Sequence, residues 1–262
     1  MARNSLKSVC RLIQSIKEEI PIEEQFLNDL KRSIELNDQK DSRKPSQTYK
    51  PSSMLCMRQM YYQRVGIEPE NESNAVLVGI CESGTDRHER IQNAVSRMKE
   101  NGIDCEYIDV AKFVKQRNIK DIDVVCKQGN ETKLFYKSLK MSFLCDGIIR
   151  YKNKYYILEI KTESINKWYD RQGVAEEHKT QATAYSYALG LDNVIFLYIN
   201  RDMCDMKAFM FTPSCESKQA MVDRIMTCEN HINTNSVPSK EKDIPKKACQ
   251  YCNYKRQCKI DD

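Results

Sequence analysis

No stretch of the 262-residue chain offers an uncharged apolar run near the ~18–20 residues that cross a bilayer, which excludes a helical membrane protein. The opening Met1–Cys10 has no apolar segment followed by a small-residue cleavage site, so no secretory signal is expected. Internal repeats and low-complexity tracts are also missing. Cysteine, at 12 of 262 residues, falls short of the roughly 8–10% typical of a secreted disulfide scaffold. Neither sign of charge dominates: 42 Lys+Arg against 37 Asp+Glu leave +5, a mild basic bias compatible with nucleic acid. With 40% hydrophobic and 30% charged residues, the composition is that of a folded protein. The expected setting is the cytoplasm or another reducing intracellular compartment, with no membrane partner. There, grouped cysteines point to metal, cluster or catalysis.

The apolar periodicity divides the chain. Leu6, Val9, Leu12, Ile13, Ile16 and Ile20 recur at helical spacing until Pro21, and Phe26, Leu27, Leu30 and Ile34 continue in a second helix. Asn37–Pro51 is polar, charged and proline-bearing, and reads as a linker. Residues 1–45 are therefore expected as a helical N-terminal extension, either a cap on the core or a partner-binding arm, and 46–262 as the main domain. Helices are expected after Pro51, carrying Cys56, Arg58 and Tyr62, and from about Ala75 to Lys99, with Ile91, Val95 and Met98 on the buried stripe. Residues 133–137, 142–151 and 154–161 are strand-like; a helix over His178–Leu189, strands over Asn193–Asn200 and Met206–Phe211, and a helix near 216–231 follow. The fold class is α/β with a helical front.

The stretch from Phe143 to Lys161 carries the chemistry. If Lys152-Asn153 forms a two-residue hairpin loop, counting outward sets Tyr151 against Lys154, Arg150 against Tyr155 and Asp146 against Glu159, with Lys161 on the same face. The other face (Cys145, Gly147, Ile149, Tyr156, Leu158, Ile160) is nearly all apolar. Two carboxylates directly across a ladder repel. A divalent cation between them would offset that repulsion and polarise a phosphate, with the Lys161 ammonium beside it. An incidental surface hairpin is the competing reading. His88, three residues before Ile91, faces the core and is a third candidate ligand; a mixed N/O set leans toward Mn²⁺ over Mg²⁺. His178, Gln181 and Tyr185 lie on one helical face and suit a phosphodiester or a base.

Gly84-x-x-x-His88-Glu89, then Asp146, then Glu159-Ile-Lys161, then Gln181-x-x-x-Tyr185 resembles the PD-(D/E)XK nuclease superfamily in its RecB-like branch, over roughly residues 52–258. Cys145-Asp146 stands where the superfamily's name-giving Pro-Asp would be. The resemblance implies a restriction-endonuclease-like core, a central mixed sheet flanked by helices. It implies metal ligands at His88, Asp146, Glu159 and the backbone carbonyl of Ile160, a catalytic Lys161, and Gln181 and Tyr185 completing the site. The implied activity is metal-dependent hydrolysis of single-stranded DNA at its ends, 5′→3′ favoured, in recombination, repair, replication or CRISPR-related processing. A helicase or recombination partner is compatible with it. The alternative is a catalytically silent module that binds single-stranded DNA or a helicase.

Cys249-x2-Cys252-x5-Cys258 places three thiolates within ten residues, and a tetrahedral centre needs a fourth ligand that spacing alone does not choose. Iron–sulfur nucleases of the RecB-like branch, including the AddB subunit and the CRISPR-associated members, carry one cysteine before the core and three after it. By that resemblance the fourth is Cys56, in a segment similar to their Cys-x-Arg-x-x-Tyr, and the centre is a [4Fe–4S] cluster, with zinc as the alternative. The other cysteines (Cys10, Cys81, Cys105, Cys126, Cys145, Cys204, Cys215 and Cys228) read as packing. Lys133, Lys137, Lys140, Lys152, Lys154, Lys246, Lys247, Lys255 and Arg256 form a basic set suited to tracking a phosphate backbone. Tyr251 and Tyr254 are candidates for base stacking, and Arg58 and Tyr62 are further expected DNA contacts.

Overall fold

The computed structural model describes residues 20–40, 45–70, 74–128 and 131–262. The chain divides into two compact units, residues 1–42 with 72–80, and residues 43–71 with 81–262. In the first, helix α1 (Ile22–Lys40) exposes Phe26, Leu27 and Leu30, and its Glu35 Oε1 accepts from Ala75 N at 3.1 Å. The helix expected before Pro21, and Cys10 with it, lie outside the described residues. The expected linker is shorter than its composition implied. Residues 37–40 finish α1. Tyr49 is fully buried, bridged to Met141, with its hydroxyl donating to Glu229 Oε1 at 2.8 Å.

The second unit is a mixed α/β fold. Helix α2 (Met57–Val65) ends at Gly66, whose φ of 83° is the left-handed cap glycine provides cheaply. Helix α3 (Ala75–Ser96) begins in the first unit and enters the second at Cys81. Then come β1 (Cys105–Ile108), α4 (Val110–Gln116), β2 (Ile122–Gln128), β3 (Glu131–Tyr136), β4 (Met141–Cys145), β5 (Gly147–Tyr151) and β6 (Lys154–Glu163). Helices α5 (Ile165–Asp170) and α6 (Glu176–Leu189) carry the crossover to β7 (Val194–Asn200), followed by β8 (Met206–Phe211), α7 (Cys215–Asn233), α8 (Lys246–Gln250) and α9 (Lys255–Ile260). Five strands form one sheet in the order β1-β5-β6-β7-β8, mixed because β6 and β7 are parallel and its other pairs antiparallel. An antiparallel sheet, β2-β3-β4, lies beside it in sequence. Among the described residues no helix is long and apolar enough to cross a membrane.

β6 is central, and both its faces are covered, which is why Tyr155–Ile160 reads as an almost unbroken apolar run. Ile157 packs with Phe196, Tyr198 and α6's Ala182, Ala184 and Tyr185. Leu158 and Ile160 pack with Ile149, Ile199 and Ile91 of α3. Each such fully buried side chain contributes about 1.5–3 kcal/mol. The hairpin has the expected register, Tyr151 against Lys154 and Arg150 against Tyr155. Both turn residues adopt positive φ (Lys152 47°, Asn153 63°), as a primed turn requires.

The single strand expected over 142–151 is instead two strands, parted at Asp146, one in each sheet. That break explains why Cys145 does not share the core of Ile149, Leu158 and Ile160: it packs on the Ile148 and Ile157 side. The alternation of side chains restarts where the chain changes sheets.

Candidate functional site

Asp146 is the joint between the sheets, and it is held from several directions. Its backbone carbonyl accepts from Gln92 Nε2 at 2.7 Å and from Tyr107 Oη at 2.8 Å. Its Oδ2 accepts from Ile160 N at 2.7 Å. Along a strand a residue's N–H and C=O point to the same side, so the Ile160 carbonyl also faces Asp146, past the end of the β5 ladder. Glycine is required next to the joint. A Cβ on Gly147 would sit 2.6 Å from Tyr107 Cε2 and 2.9 Å from its hydroxyl, and that ring is already tied to Asp146. Gly147→Ala is therefore expected to destabilise the fold by about 1–3 kcal/mol in urea unfolding and to loosen Asp146.

The ladders place acids on both sides of Asp146. In the antiparallel pair β5–β6, one step beyond Gly147–Leu158 sets Asp146 against Glu159. In β3–β4, one step beyond Thr132–Cys145 sets it against Glu131. His88 joins from α3: its Nδ1 is 3.5 Å from Asp146 Oδ1 and 3.4 Å from Glu131 Oε1. One ligand atom from each of His88, Glu131 and Asp146 lies within 4.8 Å of the others. Burial would lower the His88 pKa, but hydrogen bonds to Asp146 and Glu131 outweigh it and lift the imidazole to about 9.

Glu159 is 2% exposed. Its Oε1 accepts from Lys161 Nζ at 2.6 Å, while Oε2 is buried with no hydrogen-bond partner. Burial and the Asp146 charge push the carboxyl up to about 7 against the opposing pull of Lys161. Burial would lower the Lys161 pKa, but Glu159 and Asp146 raise it, so the ammonium persists. Lys161 Nζ also donates to Gln181 Oε1 at 3.1 Å, and Gln181 Nε2 donates to Tyr185 Oη at 2.6 Å. This fixes the amide orientation: its oxygen must face Lys161. Tyr185 stacks on Phe143 with ring centroids 4.7 Å apart. The expected set His88, Asp146, Glu159, Lys161, Gln181 and Tyr185 thus converges in one place.

His178 shares the Gln181 face of its helix but turns elsewhere. Tyr198 Oη accepts from Ala175 N at 3.2 Å, leaving its own proton for His178 Nδ1 at 2.8 Å. Burial, reinforced by Lys161, Arg171 and Lys167, lowers the imidazole to about 3. The unfolded chain takes up this proton near pH 6.5 and the folded chain only near 3, so folding stability should drop as pH falls through that window. Urea unfolding between pH 7 and 4 should show the slope, and His178→Gln should flatten it by up to about 1.4 kcal/mol per pH unit.

At the C-terminal end, the four predicted ligands Cys56, Cys249, Cys252 and Cys258 are free cysteines, Cys249 exposed and the other three half-buried. Burial raises its thiol pKa, and the charges of Cys56, Cys258 and Cys249 raise it further. Burial likewise raises Cys56, with Glu241 and Cys249 adding to it.

Arg58, Tyr62 and Tyr254 are not the DNA contacts their residue types suggested: all three point inward. Arg58 is 6% exposed and donates to Pro238 O at 2.8 Å, Cys258 O at 2.9 Å, Cys258 Sγ at 3.4 Å and Asp262 Oδ1 at 2.6 Å. Tyr62 donates to Asp261 Oδ2 at 2.7 Å, and its ring centroid is 5.7 Å from that of buried Tyr254. These side chains fasten the C-terminus to α2. Tyr251, Lys255 and Arg256 are exposed, Arg256 with Glu70 3.8 Å away; the Lys247 side chain lies outside the described residues. Lys152 and Lys154 are exposed at the hairpin tip, about 20 Å from Asp146 at ~3.3 Å per strand residue, so they do not flank the acids. Lys140 pairs with Glu229 at 2.8 Å. Lys133 lies two positions from Glu131 on the same side of β3.

Sequence reasoning missed Glu131, Gln92 and Tyr107. Glu131 is visible only once the β3–β4 register is known, and Gln92 only as the residue one turn beyond His88 on the same helical face.

No family model and no curated protein matches this chain. Among solved structures it is similar to one described as "Crystal structure of SSO0001", at 14% identity and a TM-score of 0.46, over 90% of this chain and 98% of that one.

Proposed function

We propose that this protein is a metal-dependent deoxyribonuclease of the PD-(D/E)XK, RecB-like type, acting on single-stranded DNA ends with 5′→3′ polarity and held together by a structural [4Fe–4S] cluster. The observation that carries the reading is Glu159. It is a buried carboxylate with one oxygen committed to Lys161 and the other without any hydrogen-bond partner, one step beyond the last β5–β6 pair and beside the Asp146 charge. A buried polar atom left unsatisfied costs about 1–3 kcal/mol, and a like charge alongside adds to that. A cation relieves both. His88, Asp146, Glu159 and the Ile160 carbonyl would hold Mn²⁺ or Mg²⁺, which would neutralise the acids and polarise the scissile phosphate.

The chain's own groups do the rest. Lys161 Nζ, fixed by Glu159 and Gln181, presents a permanent positive charge where a phosphorane gains negative charge as water attacks phosphorus and the P–O bond to the sugar breaks. Tyr185 keeps Gln181 aimed at Lys161. Stacking on Phe143 buries Tyr185 at the inner end of that chain of hydrogen bonds. Lys133 offers a contact to the incoming backbone.

The cysteine centre is read as structural. Cys56, Cys249, Cys252 and Cys258 are free thiols, and an Arg58 N–H is directed at Cys258 Sγ, a donor that would stabilise a thiolate ligand. They are the residues that would hold the cluster, with zinc as the competing occupant.

Anaerobically purified protein incubated with 5′- and 3′-end-labelled single strands tests the activity. Degradation that needs Mn²⁺ or Mg²⁺, stops in EDTA and releases the 5′ label first is the expected result. Binding of the strands without cleavage would replace this reading with that of a silent binding module.

A further inference from the structure

Glu131 belongs to none of the motifs that suggested the nuclease, yet it lies as near His88 as Asp146 does. It begins β3, and the β3–β4 ladder, extended by one residue, sets it across from Asp146. Its Oε1 is 3.4 Å from His88 Nδ1, which is also 3.5 Å from Asp146 Oδ1, and ligand atoms of all three residues fall within 4.8 Å of one another. An imidazole nitrogen facing two carboxylate oxygens is a donor set suited to one Mn²⁺. Glu159, by contrast, has one oxygen committed to Lys161. Its other oxygen is buried and without a hydrogen-bond partner, beside Asp146.

We propose that Glu131 is a ligand of the metal, so that the β2–β4 sheet contributes a coordinating carboxylate alongside His88 and Asp146. The proposal rests on the metal site of the nuclease reading but not on nuclease activity. It also divides the labour of the acids: Glu131 and Asp146 anchor the ion with His88, while Glu159 holds Lys161 with one oxygen and faces the centre with the other.

The test is Mn²⁺ binding to the intact, cluster-loaded protein, read from the loss of the free-ion six-line EPR signal on titration. Glu131→Gln should weaken binding by about 10–100-fold or more, in line with the sensitivity of metal sites to single carboxylates, and Glu131→Asp by less. Mn²⁺ should also raise the Tm of the wild type more than that of Glu131→Gln. If Glu131→Gln binds Mn²⁺ like the wild type while Asp146→Asn does not, the proposal is overturned and the metal site stands. A lower Tm in EDTA with unchanged Mn²⁺ affinity would reduce Glu131 to an ion-pair partner of His88 and overturn it equally. Wild-type protein that binds no Mn²⁺ would overturn the metal site itself. Should Glu131→Gln fail to fold, the Glu131→Asp titration decides: wild-type affinity together with wild-type Mn²⁺-induced Tm gain overturns the proposal, and a loss in both supports it.

Discussion

Lys161→Ala is expected to slow strand cleavage by about 10²–10⁴-fold while leaving Mn²⁺ affinity within a few-fold of the wild type. The two readouts separate because the ammonium does not coordinate metal. It reaches Glu159 Oε1 at 2.6 Å and Gln181 Oε1 at 3.1 Å, and its charge is available to the phosphate. Arginine should not rescue. Its planar fork needs a different arrangement of acceptors from the compact ammonium that spans a strand carboxylate and a helix amide. Circular dichroism on Lys161→Ala guards against misfolding, since losing one partner of a buried ion pair costs about 3–5 kcal/mol unless Glu159 protonates. Single-turnover cleavage with saturating Mn²⁺ is the measurement. A rate within a few-fold of wild type would remove Lys161 from the chemistry.

Cys252→Ser should produce the second large effect: a colourless protein with a Tm lower by about 10 °C or more. Serine is too weak an acid to replace a thiolate ligand near neutral pH, and Cys252 is the cysteine whose thiol senses all three of the others. A centre held by these cysteines would close a loop from Cys56 to the 249–258 segment, a long-range clip whose closure entropy grows only slowly with length. Ligand binding at such a centre is folding free energy, and about 3–5 kcal/mol over a chain of this size corresponds to the stated shift. Absorbance in the visible thiolate-to-iron band, iron and sulfide content, and thermal unfolding check it together. A wild type that is colourless and holds stoichiometric zinc would replace the cluster with zinc, and a brown Cys252→Ser variant would dismiss this ligand set.

What was legible in the sequence followed from local rules. The hairpin register came from a two-residue turn, and counting outward from it gave the pairs Tyr151–Lys154 and Arg150–Tyr155, with Asp146 one step beyond the last pair, Gly147–Leu158. The face of α3 that carries His88 followed from the helical spacing to Ile91. What was not legible needed pairing between segments. Glu131 meets Asp146 only because Tyr136 pairs with Met141 across the 137–140 turn, and nothing local to either residue announces that pairing. Arg58, Tyr62 and Tyr254 misled for a different reason: an arginine near tyrosines reads as a nucleic-acid surface from residue type alone. Whether it faces solvent or its own C-terminus depends on where Pro238, Cys258 and Asp262 come to rest.

The position of Asp146 between the two sheets has a consequence for fidelity of folding. A slip of one residue in either ladder would bring Cys145 or Gly147 opposite the flanking acids and turn the carboxylate to the wrong face. The centre therefore assembles only when two independent strand registers are correct at once. Under the proposed metal site, affinity would become a report on register: molecules that bound Mn²⁺ tightly would be the ones in which both sheets had zipped without error, and cation would select them from a refolding mixture.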